Sequence, residues 1–184
     1  MRSTITRLRD IVPLRRLTAA EALRVAEAQA NRLLRLSGLV QPPVGEEIIA
    51  HLPGIQIERV TSGKAQAAVQ WSNGRWLILL NPAEPRGRQR FSLAHELKHI
   101  LDHPFVTILY SRRGTPTELP EQVCDYFAAC LLMPRRWLRQ AWAEGMRDVT
   151  GLSRRFGVTP QAVKVWLLQV GLIEPTAWCL AKEA

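Results

Sequence analysis

The chain has 184 residues, of which 47 % are hydrophobic, and carries a formal net charge of +9 with a pI near 10.5. That length suits one domain with at most a small appendage, and the absence of an apolar run of bilayer length excludes a helical membrane protein. Three cysteines, Cys124, Cys130 and Cys179, contain no C-x-x-C pair and exclude a disulfide scaffold, which fits a reducing cytoplasm. Residues 1–17 form a basic segment without an apolar signal core or cleavage site, so export is not expected.

Thr18 and Glu21 make a capping box for a helix reaching about Ser37, where Gly38 ends it. The turn QPPVG follows, and Val44 to His51 reads as a short helix. Three strands are expected at Ile55 to Val60, Ala65 to Trp71 and Trp76 to Asn81, with Asn73-Gly74 as a hairpin turn between the last two. They predict a small antiparallel three-stranded sheet packed on helices, with a basic loop, PAEPRGRQR, after the third strand.

The next stretch, SLAHELKHILDH, gathers His95, His99 and His103 with Glu96, Lys98 and Asp102. Leu93, Leu97, Ile100 and Leu101 recur at helical spacing, Ser92 can cap, and Pro104 stands where the helix should stop. On a helix, residues four apart share a face, so the imidazoles of His95 and His99 can converge on one ion. Glu96 is then placed to act as general base toward water without binding the ion, the H-E-x-x-H arrangement of zinc hydrolases. A catalytic zinc needs a third protein ligand and an open position. A second helix, from Pro120 to before Pro134, offers Glu121 as that ligand and Asp125, four residues on, as a carboxylate that can fix a ligand histidine through its other ring nitrogen.

Several residues nearby carry two readings. Tyr110, His103 or His51 could stabilise a tetrahedral oxyanion or simply pack, and Arg112, Arg113 and Gly114 fall in an expected loop between the two helices. Arginine clusters at residues 7–16, 86–90 and 135–139 suit either contact with DNA or a solvated basic surface. Toward the C-terminus, two short apolar-periodic helices flank Gly157 to Pro160, with Thr159 as a cap. The second offers only Gln161 and Lys164 amid apolar side chains, which favours packing over base reading.

RFSLAHELKHILDHP followed by EQVCDYFAACLLMP resembles the ImmA/IrrE family of metallopeptidases. ANRLLRLSGLVQPPVGEEIIAHLPGIQIERV resembles that family's opening helix, turn and first strand, and FGVTPQAVKVWLLQVGLI resembles its closing helix-turn-helix-like segment. The resemblance implies a zincin-like α+β domain over residues 18–147, with 148–184 as the helix-turn-helix-like segment. It implies His95, His99 and Glu121 as Zn²⁺ ligands and Glu96 as the catalytic acid/base, with Asp125 standing where the family usually has Asn. It also implies a regulatory endopeptidase acting on a helix-turn-helix (Xre-type) repressor or antitoxin, in mobile elements or stress responses. Lys98 stands where the family commonly has Gly, and Cys124 where it has a small alanine. Lys98 either obstructs an extended substrate or reaches into water, and Cys124 is either a small buried hydrophobe or a soft metal ligand. These departures keep a second reading open: a non-catalytic zinc-fold interaction module, such as a toxin-antitoxin component or transcriptional regulator.

Overall fold

The computed structural model describes residues 2–61, 67–110 and 118–174. The expected strand start at Ala65, the loop residues Arg112, Arg113 and Gly114, and Cys179 lie outside them.

The basic N-terminal segment is part of the packed body. Ser3 caps helix α1 (Thr4–Arg9), and Ile5, Leu8, Val12 and Leu17 are buried. Arg9 donates to the carbonyls of Ile100 and Leu101 at 2.7 and 3.3 Å, placing a cation at the C-terminal end of the helix that bears the histidines. Helix α2 (Ala19–Ser37) begins with the capping box formed by Thr18 and Glu21 and ends at Gly38, whose φ of 72° suits glycine. Its buried stripe of Ala22, Ala26, Ala30, Leu33 and Leu34 is small enough to allow close helix packing. Helix α3 (Glu47–Ala50) is one turn long.

Strands β1 (Ile55–Arg59), β2 (Ala67–Ser72) and β3 (Arg75–Leu80) form one sheet in the order β1-β3-β2. Asn73 and Gly74 both take positive φ, 49° and 75°, the type I′ geometry that matches strand twist and pairs Trp71 with Trp76. The sheet is mixed, which corrects the expected antiparallel sheet: β2 runs antiparallel to β3, but β1 pairs parallel to β3. The hairpin turns β2 outward, so β3 meets β1 in the same direction and β2 becomes an edge strand.

Helix α4 (Arg86–Asp102) carries the H-E-x-x-H residues. It starts at Arg86, well before Ser92, so most of the sequence expected as a basic loop is helical. Gly87 explains part of this. A Cβ there would stand 2.9 Å from the Val158 backbone, so the first turn of α4 sits directly against the C-terminal helix pair. After Asp102 come a 3-10 turn (His103–Phe105) and helix α5 (Val106–Leu109), then helix α6 (Leu119–Leu132). Helices α2, α4 and α6 pack together around Leu33, Leu34, Leu97, Ile100, Val123 and Phe127, all essentially inaccessible to water. Each such side chain contributes roughly 1.5–3 kcal/mol through burial. The result is a mixed α+β fold with the small sheet on one side of α4.

Helices α7 (Arg135–Ala143), α8 (Val149–Phe156) and α9 (Pro160–Gln169) complete the described chain. Thr159 caps α9, and Gly157 turns between α8 and α9 with φ 65° while its carbonyl accepts from Arg90 at 3.2 Å. Trp166 is buried, donates to the Met133 carbonyl at 2.8 Å and lies edge-on to Tyr126. Arg135 pairs with Glu27 at 3.1 Å and lies over the Trp166 ring. Several arginines that suggested an anion-binding surface are therefore joined to carbonyls, carboxylates or rings of this chain. No described helix is long and apolar enough to cross a membrane.

Candidate metal centre

Helices α4 and α6 lie side by side, and their facing polar residues meet at one point. The Nε2 atoms of His95 and His99 are 3.0 Å apart. Glu121 places one carboxylate oxygen 3.2 Å from the His95 Nε2 and the other 3.4 Å from the His99 Nε2. On the far side of the His95 ring, Nδ1 donates to Asp125 Oδ1 at 2.8 Å, which fixes the tautomer whose Nε2 lone pair faces the cluster. Glu121 and Asp125 are four residues apart on α6, so one helical face supplies both carboxylates.

The donor set fits a tetrahedral ion. Bonds of about 2.0–2.1 Å to zinc hold two ligand atoms about 3.3 Å apart, close to each of the three separations. Cys124 is a fourth candidate: its Sγ lies within 4.8 Å of the donor atoms of His95 and His99. Burial holds that thiol well above the ordinary cysteine range, whereas Glu121 is exposed on the cleft side. Both departures from the family pattern are thereby located. Cys124 is buried directly behind the histidines. Lys98 neither obstructs the cleft nor reaches water, because its ammonium is enclosed and donates to Asp102 at 2.5 Å and to Gln29 at 2.9 Å.

Local electrostatics separate the roles. Burial disfavours a charge on His95, but its bond to Asp125 and the nearby carboxylates of Asp125, Glu96 and Glu121 outweigh this and raise its pKa. His99 moves the opposite way, lowered by burial and by the neighbouring His95, so it offers a neutral ring more readily. Glu96 is 8 % exposed, and burial together with the Glu121 charge pushes its carboxyl above the usual range while His95 partly opposes the shift. A carboxyl raised in this way beside a donor cluster holds a proton more readily than a solvated carboxylate does, which suits a group that accepts and returns one.

Glu96 borders two hollows. One, of about 650 Å³, also touches His95, Glu121 and Asp125 and extends past Arg88 and Gln122 to Gln161 and Val165 of α9. The other, of about 540 Å³, runs past His99 to Trp71, Trp76, His103 and Val106. Of the oxyanion candidates, His103 stands in the second hollow with its ring edge-on to Trp76. Tyr110 donates to Asp102 at 2.6 Å on the core side of α4, and His51 caps α3; among the described residues neither lines either hollow. The wall residues Trp71, Trp76 and Val106 carried no signal as site residues in the sequence. The legible clue was W-S-N-G-R-W, which places two tryptophans opposite each other across a tight turn.

Comparison with known proteins agrees with the paired helices. The model of Peptidase M78, the IrrE N-terminal-like domain, matches residues 53–167. The chain belongs to this family. The M78 match begins just before β1 and ends within α9, so it contains both α4 and α6. Among solved structures, the chain is similar in fold to a Mycobacterium tuberculosis transcriptional regulator, with a TM-score of 0.64 and 19 % identity over 91 % of this chain. The match covers 52 % of that regulator, so the chain spans about half its length. No curated protein matches the sequence.

Proposed function

We propose that the protein is a zinc-dependent endopeptidase of regulatory type, with His95, His99 and Glu121 holding the ion and Glu96 as the catalytic acid/base. The observation that carries this is Glu96, nearly buried and bordering both hollows beside three converging donor groups. Membership of the M78 peptidases supports it. Zinc, when bound, supplies Lewis acidity that polarises a carbonyl and makes water more acidic.

The chain's own groups perform the proton traffic. Glu96 removes a proton from the attacking water, whose oxygen adds to the peptide carbonyl carbon. The same carboxyl then returns the proton to the amide nitrogen as the C–N bond breaks, releasing an amine and an acid. Asp125 keeps the His95 ring oriented through Nδ1 throughout.

A partner protein is the substrate in this reading, with a helix-turn-helix repressor or antitoxin as the expected kind. The similarity in fold to a transcriptional regulator supports a regulatory setting. Lys98 gives no support to a binding-only role, because its charge is spent inside the fold. Glu96→Gln should abolish cleavage of a co-expressed partner and leave bound zinc unchanged, measured by gel and elemental analysis. Undiminished cleavage in that variant would sink the assignment.

A further inference from the structure

The two hollows that meet at Glu96 differ in chemistry. The larger one mixes charged and polar side chains, among them Arg88, Asp125 and Gln161, with apolar ones such as Phe91, Val165 and Trp166. The smaller one, beyond Glu96 and His99, is walled by Val69, Gln70, Trp71, Trp76, His103 and Val106. Apart from the His103 imidazole, that outer wall has no ionisable side chain. Three of its rings are stacked edge to face: Trp71 on Trp76 with centroids 5.1 Å apart, and Trp76 on His103 at 4.8 Å.

Strand β2 connects the hollows. Its Ala67 borders the larger one, and Val69 to Trp71 border the smaller. As the edge strand, it hydrogen-bonds to β3 on one side only among the described residues. Ala67 to Trp71 spans about 13 Å at strand rise, room for about four residues of an extended peptide. Trp71 is 59 % exposed and Val106 46 %, so large apolar surfaces stand open to water beside the proposed reacting bond. An exposed apolar patch next to a cleft marks a binding surface, and covering it with an apolar group is favourable.

We propose that the hollow of Val69, Trp71, Trp76, His103 and Val106 is a selectivity subsite that takes one large apolar side chain, aromatic or branched aliphatic, from a peptide laid along β2. The inference rests on the metallopeptidase reading above and adds to it a substrate requirement. A bulky apolar residue is needed on the His99 side of the scissile bond, whereas the Asp125 side, with its mixed lining, accepts polar and apolar residues alike.

Phosphinic pseudopeptides, which imitate the tetrahedral species and bind zinc directly, test this without turnover. Three probes suffice: one with a benzyl side chain on one side of the phosphinate, one with it on the other, and one with glycine on both. Their affinities for the zinc-loaded full chain are measured by calorimetry. One benzyl probe should bind about 10- to 100-fold more tightly than the diglycine probe, the gain expected from burying an aromatic side chain. In Trp71→Ala and in Val106→Asp, both at exposed positions, that gain should fall below about threefold while diglycine affinity is unchanged. A merely structural role for Trp71 would not move this ratio. Equal affinity of all three probes for the wild type, or a preference that survives both substitutions, would overturn the subsite and leave the metal centre standing. Failure of every phosphinate to bind zinc-loaded protein would overturn the metallopeptidase reading and the subsite with it.

Discussion

Helix α4 carries two polar sets with opposite fates. Toward the cleft stand His95, Glu96 and His99, whose Nε2 atoms and carboxyl converge beside Glu121 and border the hollows. Toward the core stand Lys98 and Asp102, also four residues apart, whose charges are saturated by the protein itself. The Lys98 ammonium donates to Asp102 and Gln29, the Tyr110 hydroxyl donates to the other Asp102 oxygen, and the Gln29 amide donates to the Leu8 carbonyl. A polar cluster becomes a site when its groups converge but leave bonding capacity unused. When every group is satisfied, the cluster is a fastener, here joining α1, α2, α4 and α5.

The two sets should therefore break differently. Lys98→Ala strands a buried carboxylate at Asp102, and removing one partner of such a pair costs about 3–5 kcal/mol. Chemical denaturation of metal-free protein reads that loss, and an unchanged midpoint would mean the pair is not enclosed. Tyr110→Phe removes one charge-assisted hydrogen bond from the same group and should cost about 1.5–3 kcal/mol in the same metal-free assay, and the variant should still take up zinc when it is offered. At the cleft, Asp125→Ala should leave the denaturation midpoint nearly unchanged and weaken zinc by about 10- to 100-fold in a competition titration, because the His95 ring loses the acceptor that orients it. A large stability loss in Asp125→Ala with unchanged zinc affinity would erase the distinction between the two sets.

Much of the cleft set was legible because its signals are local. The spacing of His95 and His99, Glu96 beside them, and the proline-bounded second helix with Glu121 and Asp125 all lie within short windows of sequence. The core set was illegible for the complementary reason. Lys98 and Asp102 look like a solvated surface pair, and only the arrival of Gln29 from α2 and Tyr110 from the end of α5 makes them interior. The turn Asn73-Gly74 announced the β2–β3 hairpin, but the parallel pairing of β1 with β3 depends on a crossing that no local signal records. The early start of α4 depended likewise on contact between Gly87 and the Val158 backbone, a meeting of distant segments. Family resemblance, carried by the paired motifs, reached helices α4 and α6 but not the aromatic hollow, which is built from this chain's own tryptophans.

The most direct test is the metal content of the purified full chain, produced without a chelating tag and offered zinc, with His99→Ala prepared in parallel. The account predicts about one zinc per chain in the wild type and almost none in the variant, with both proteins folded. Zinc absent from the wild type, or present equally in both, would contradict it.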